Sequence, residues 1–407
     1  MMKKMLRTLG ALAATLIFLQ SLSGCKNDYP DSVYNPDAPP GATPVIASLS
    51  PEGEALAGVG IITITGQNFS ATPEENFVFF DAMKAGILEA STTQLVVRAP
   101  NLVSDSVSVK IAVDRVELFS DPFIYSLIPA VEVFGRLENA GQDATQAFGI
   151  AVDLNENVYV SVTGKQIKKV APDGTTTLFA EPTFLQANAM RIGPAGGLYA
   201  VSAAGRVRKV SVFSTSGTES TLASFTKTPV DLDFDEAGNL WVALVDEIHI
   251  IKPDNSKNLV ASYAADLNAI RVYNGFLYVA GRDNATSAPT LWRSQIQGDA
   301  LGASEVVLDG ASAIWLEDAD ILSFTFSAAG EIFLGTTHPS GIFVYTSDGD
   351  HSELYPGLLE PNIYSLVWGN ANLMYAMRQT VNPDLGDVSK LLKIDLARNG
   401  APYYGRK

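Results

Sequence analysis

One cysteine, Cys25, stands among the 407 residues of this chain. That scarcity excludes a disulfide framework and a thiolate metal cluster, and leaves no second thiol to act as a nucleophile. Histidine is nearly as rare: His249, His338 and His351 lie far from one another in sequence, and none belongs to an HExxH pair. Strand alternation and loop solvent account for all three, so neither a histidine metal site nor a Ser/His triad finds support. A GxSxG elbow, a Walker loop and a GxGxxG turn after a strand are also missing. Positive charge is in deficit, with 28 Lys and Arg against 44 Asp and Glu and a formal net charge of -16. Nucleic acid would need a concentrated basic stripe. The densest short cluster, Arg206-Val207-Arg208-Lys209, alternates with an apolar neighbour and reads as a solvated strand face, so no nucleic-acid partner is expected. Beyond the first 24 residues, no apolar run approaches the roughly 18 residues of a membrane-spanning helix.

What the chain does contain starts at its beginning. Residues 1–24 combine Lys3, Lys4 and Arg7, an apolar stretch over 9–19 and a small-residue exit, the design of a secretory signal peptide. The exit reads Leu22-Ser23-Gly24-Cys25 and resembles the lipobox of bacterial lipoproteins. The resemblance implies cleavage before Cys25, diacylation of its thiol, and a protein anchored to the bacterial envelope, at the outer membrane, by lipid rather than by a spanning segment. Residues 25–43 follow as a lipidated tether. Four prolines and few large apolar residues make it extended, at about 3.1 Å per residue where it is polyproline-like.

From Pro44 the sequence runs PVIASLSPEGEALAGVGIITITGQNFS, with a Ser50-Pro51 turn, Gly58, Gly60 and the closing Thr65-Gly66-Gln67-Asn68-Phe69. Further on, SVSVKIAV alternates strictly, placing Val107, Val109, Ile111 and Val113 on one face of a half-buried antiparallel strand. This segment, 44–127, resembles IPT/TIG domains, which implies an immunoglobulin-like β-sandwich. Such modules space or dock their neighbours, and Gly66-Gln67-Asn68-Phe69 is either an exposed binding loop or a turn that seals the fold.

The remainder, 128–407, repeats itself. GIAVDLNENVYV, AMRIGPAGGLYA, DLDFDEAGNLWV, AIRVYNGFLYV, SFTFSAAGEIFL and SLVWGNANLMYA each give an apolar strand, a tight turn and a second strand with an aromatic residue. Aligned, they place Tyr159, Tyr199, Trp241, Tyr278, Phe333 and Met374 at one position, separated by 40, 42, 37, 55 and 41 residues, intervals of the size of a propeller blade. Third strands follow over 166–170, 206–210, 247–251, 290–294, 341–345 and 390–394, usually with a fourth. One four-stranded unit cannot cover both its faces, so the units must stack into a closed ring. Residues 131–137 precede the first full unit and are expected to close the ring as an outer strand of the last. The pattern resembles NHL repeats and, more loosely, the propellers of the SMP-30/gluconolactonase group. The whole chain thus reads as all-β: an Ig-like β-sandwich followed by a six-bladed β-propeller.

In a propeller the first strand of each unit lines the axis. The polar residues just before or inside those strands are Gln146, Asn188, Asp231, Asn268, Asp320 and Asn362, and they are the candidate ligand-binding set. The gluconolactonase resemblance implies a divalent metal held by Glu, Asn and Asp at this mouth, yet Gln146 occupies the position of the glutamate. Asp231, Asp233 and Asp235 alternate like part of a calcium loop, without the bidentate Glu such a loop requires; calcium is carried as an alternative to a site with no cofactor. The sequence therefore favours a non-enzymatic binding or scaffold protein for a protein or glycan partner. The second reading is a metal-dependent hydrolase or lyase at the channel mouth.

Overall fold

The computed structural model describes residues 41–138, 146–202, 207–380 and 387–406. The signal segment, Cys25 and the tether up to residue 40 lie outside the described residues.

The first module is two facing sheets. One takes the strands Val45–Ser50, Ile61–Gln67, Gln94–Arg98 and Gly86–Ala90 in that order; the other takes Glu54–Leu56, Phe123–Ile128, Ser104–Val113, Asn76–Phe80 and Met83–Lys84. Val107, Val109 and Ile111 are fully buried between the sheets with Ile62, Ile64, Leu95 and Phe80, as the alternation requires, whereas Val113 at the strand end is half-buried. The Gly66 turn is part of this construction. A Cβ on Gly66 would lie 2.0 Å from the Val45 carbonyl oxygen and 2.5 Å from the Phe69 ring. Only glycine lets the first strand, the turn and the buried Phe69 close together, and Asn68, at φ 62°, donates from Nδ2 to the Thr43 carbonyl at 2.8 Å. The turn seals the sandwich.

Among the described residues, six four-stranded antiparallel sheets follow. Their first strands are Ala147–Val152, Ala187–Ile192, Pro229–Phe234, Ala265–Tyr273, Ile321–Phe326 and Ile363–Trp368. Each packs against the next, and the last packs back on the first, so the inner strands surround a common axis. In the sixth sheet the outermost strand is Val131–Val133, paired antiparallel with Lys390–Asp395 and locked by a Glu132–Lys393 ion pair at 2.9 Å. The segment before the first repeat thus completes the last sheet. In the second sheet the third strand is Lys209–Phe213, three residues later than the sequence pattern puts it, and Lys209 forms a largely buried ion pair with Glu219 at 2.7 Å rather than facing solvent.

The aromatic stripe packs between sheets. Tyr199 meets Phe234 of the following sheet at 4.9 Å between ring centroids, Tyr278 meets Phe326 at 4.7 Å, and Phe333 meets Trp368 at 5.5 Å. One position in the alignment shifts. The residue facing the fifth position of the inner strand is Tyr159 in the first sheet and Tyr199 in the second, but Tyr375, not Met374, in the sixth. Tyr375 is buried against Phe134 at 5.5 Å, so the aromatic motif is kept there one residue later.

Two of the hairpins show why an acidic turn accompanies the aromatic residue. Asp235 accepts from the Asn239 backbone N–H (2.9 Å), Asn239 Nδ2 (2.8 Å) and Trp241 Nε1 (3.0 Å). Asp153 does the same for Asn157 and for the Tyr159 hydroxyl at 3.2 Å. One carboxylate therefore shapes the turn and orients the ring that packs between sheets. Burial, with the Asp153 charge and hydrogen bond beside it, pushes the Tyr159 phenol up to about 12, so it remains a neutral donor.

Candidate functional site

The axis is blocked at mid-depth by a charge network that the six-residue candidate set does not include as a whole. Arg191 comes from the second inner strand, Asp231 and Asp233 from the third and Arg271 from the fourth, and all four are buried. Asp231 accepts from Arg271 Nη1 at 2.7 Å and from Arg191 Nη2 at 3.3 Å, and its two oxygens also take the Leu232 and Ile270 backbone N–H groups, each at 2.9 Å. Asp233 lies 3.6 Å from Arg191 Nε and accepts the Phe234 and Val272 N–H groups at 3.0 and 2.8 Å. Each aspartate thus ties the third inner strand to the backbone of the fourth, where no β-ladder joins them. Arg271 also reaches across the axis to the Leu366 carbonyl of the sixth sheet at 3.2 Å.

Burial is the main influence on both carboxyls. It pushes Asp231 up against the pull of Arg191 and the backbone donors, and raises Asp233 to about 6, with the Arg191 guanidinium again opposing and the Asp231 charge adding to the rise.

Above this network, at the end where the inner strands begin, a polar recess brings together Asn188, Asp231 and Asn268 of the candidate set with Arg271, Ser323 and Tyr364. Burial first, then the Asp231 charge, pushes the Tyr364 phenol upward, so it is a neutral hydroxyl at neutral pH. Gln146, Asp320 and Asn362 do not line this recess. Gln146 is exposed at the strand start. Asp320 is held by Arg282, 2.8 Å from Nε and 2.6 Å from Nη2. Asn362, at φ 71°, donates to the Gln379 and Thr380 carbonyls, and Asn268 Nδ2 donates to the Ile321 carbonyl at 3.1 Å.

These contacts bear on the divalent metal that a gluconolactonase-like mouth implies. The donor set does not fit one. Asp231 already satisfies two guanidinium groups and two N–H groups, Asp320 is paired with Arg282, and a dication beside Asp231 would sit next to Arg191 and Arg271. Asp235, the third member of the alternating trio, opens a hairpin and is engaged by Asn239 and Trp241. Among the described residues, no three His, Cys, Asp or Glu side chains are grouped to hold a metal.

Below the network, where the inner strands end, the C-terminal segment crosses the axis. The Ala401 N–H donates to the Phe326 carbonyl at 2.9 Å, the Tyr403 hydroxyl donates to the Trp368 carbonyl at 2.9 Å, and Tyr404 stacks on Phe234 at 5.1 Å and 26°. Ala401, Pro402 and Tyr403, with Arg191, Arg271 and Trp368, wall a small chamber beneath the charges. Arg191, Arg271 and this strap escaped the sequence reading. The candidate set holds amides and acids alone, and no repeat signal marks a segment that occurs once.

Comparisons with known proteins agree with this architecture. Residues 44–126 match the IPT/TIG domain family. The sequence matches none of the curated proteins with which it was compared. Among solved structures, the chain is similar to a protein of unknown function from Bacteroides thetaiotaomicron, at 15% identity and TM-score 0.53 over 89% of this chain and 99% of that one. It is also similar to an auxiliary nutrient binding protein from the same organism, at 10% identity and TM-score 0.52 over 89% and 98%. A gluconolactonase from Xanthomonas campestris matches at 17% identity and TM-score 0.50 over 62% of this chain and 86% of that one. At these identities the likeness is one of fold. The IPT/TIG match supports the Ig-like module, and the structural neighbours support a β-propeller.

Proposed function

We propose that this chain is a lipid-anchored envelope receptor or scaffold, whose six sheets are the six blades of one closed propeller that holds a protein or glycan partner without transforming it. The observation that carries the reading is the fate of the charges on the axis. Arg191, Asp231, Asp233 and Arg271 are buried against one another and against backbone groups, so they brace the ring where a hydrolase would keep a carboxylate free for metal or water. The fold shared with an auxiliary nutrient binding protein supports the same reading. Anchoring rests on the Leu22-Ser23-Gly24-Cys25 exit.

Purified protein incubated with a panel of aldonolactones and Ca²⁺, Zn²⁺ or Mn²⁺ is expected to show no turnover above the metal blank. Turnover abolished by Asn188→Ala would replace this reading with the hydrolase that the gluconolactonase fold suggests. Anchoring is tested separately by Cys25→Ala, which should move the protein from the membrane pellet to the soluble fraction; a variant that still pellets removes the lipid anchor from the proposal.

A further inference from the structure

The face where the inner strands end carries a second, unassigned feature. Between the third and fourth sheets lies a recess bordered by Phe234, Tyr273, Tyr403 and Tyr404, with Asn239 and Asn274 among its polar groups. Between the first and second sheets lies a larger, more open recess, bordered by Asn155, Asn157, Tyr159 and the turn at residues 193–196. Glu236 and Tyr404 line both, so the two recesses meet along that pair of side chains. The result is a groove that runs from the first sheet to the fourth past one aromatic ridge.

The lining selects a chemistry. One side of the Tyr404 ring is fixed on Phe234, and the ring borders both recesses, so the platform is held in place before anything binds. Tyr273 is likewise fixed, stacked on Phe326 at 4.2 Å and 6°. Flat aromatic rings suit the C–H face of a pyranose, while amides and a carboxylate suit its hydroxyls. Among the described residues, no lysine, arginine or histidine lines the recess between the third and fourth sheets, and Lys169 is the one cation lining the other, a lining with little to hold phosphate, sulfate or uronate ligands. A strongly cationic ligand would want several carboxylates. Of those present, Asp235 is committed to Asn239 and Trp241, and Asp153 to Asn157 and Tyr159.

We infer that this groove is a binding site for a short neutral oligosaccharide, with Tyr404 as the central stacking platform and Glu236, Asn274 and the Oδ1 of Asn239, whose Nδ2 is held by Asp235, as hydroxyl-binding groups. The inference rests on the receptor reading above and deepens it by naming a ligand class and a face. The strap at residues 401–405 then has two tasks: it closes the axis and it supplies the groove's ridge.

The test is calorimetric titration of the whole mature protein with neutral oligosaccharides of about four to six glucose, xylose, mannose or galactose units, and with an oligoarginine peptide. At least one oligosaccharide should bind, with Tyr404→Ala weakening it by about tenfold or more, Glu236→Gln by severalfold and Tyr404→Phe by less than about threefold; Asn268→Ala, in the opposite recess, should leave affinity unchanged. The Phe variant guards against misfolding, because it keeps the ring and its stack on Phe234. Binding that survives Tyr404→Ala but is lost in Asn268→Ala overturns the site while leaving the receptor reading intact. Failure of every oligosaccharide at millimolar concentration, with or without binding of the peptide, overturns the ligand class. Lactone turnover, by contrast, strikes the receptor reading itself.

Discussion

The two ends of the axis use polar residues in opposite ways. At the end where the inner strands begin, the recess is rich in hydrogen-bonding groups, yet its charges are spent on one another and on the backbone of neighbouring sheets. At the end where they finish, charge is sparse, and aromatic rings anchored from behind border an open groove. The contrast teaches that convergence of polar side chains on a symmetry axis is not by itself a site. Deep in the ring, where water is scarce, such groups are stable only when paired, and pairing removes them from service.

The largest effect is expected where the pairing is broken. Asp231→Asn removes the carboxylate shared by Arg191 and Arg271 and leaves both guanidinium groups buried without their full counter-charge, which should cost about 3–5 kcal/mol in urea unfolding. A loss below about 1 kcal/mol would show that the network is not what braces the inner strands. Next comes Asp235→Ala on the other face. It deletes the acceptor for Asn239 and Trp241, with an expected cost of about 1–3 kcal/mol and a drop in oligosaccharide affinity, because the turn it shapes borders the groove. Full affinity in that variant would detach the groove from the hairpin.

A pH comparison sharpens the picture further. Asp233 has a folded-state pKa of about 6, above its unfolded value, chiefly because it is buried. The native state therefore holds this proton longer, so the group favours folding at low pH and that contribution declines as the pH rises through about 6. The stability difference between the wild type and Asp233→Asn should accordingly change between pH 4.5 and pH 7, with the wild type losing ground; a difference constant across that interval would mean that Asp233 titrates normally. The smallest effect belongs to Asn268→Ala, which gives up one hydrogen bond to the Ile321 carbonyl and should cost about 1 kcal/mol or less.

Much of the architecture was legible because it repeats. The inner strands, the turns and five of the six aromatic positions follow from a pattern whose register is fixed by burial on both faces, and the closing role of residues 131–137 follows from their place before the first full unit, the paired strand itself being Val131–Val133. The sixth aromatic was misplaced because Met374 and Tyr375 are both buried, and apolar character alone cannot say which of two adjacent buried residues faces which neighbouring sheet. The axis was half legible. Asn188, Asp231 and Asn268 reach the recess as strand position implies, but Asp320 and Asn362 sit one residue before their strands and turn aside to Arg282 and to backbone carbonyls. The groove was not legible at all, since it joins turns of different sheets to a strap that has no counterpart among the repeats.

The strand Val131–Val133 carries a consequence for how the molecule comes into being. Glu132 and its partner Lys393 are 261 positions apart, so a ribosome that has delivered the first must make nearly the whole ring before it delivers the second. Until then the sixth sheet has only its two inner strands, Ile363–Trp368 and Leu373–Arg378, and an interrupted chain leaves the edge of the second unpaired and ready to zip with any other. Assembly of this ring is thus a last-moment event, and every premature stop upstream of residue 390 should yield a sticky fragment rather than a smaller propeller.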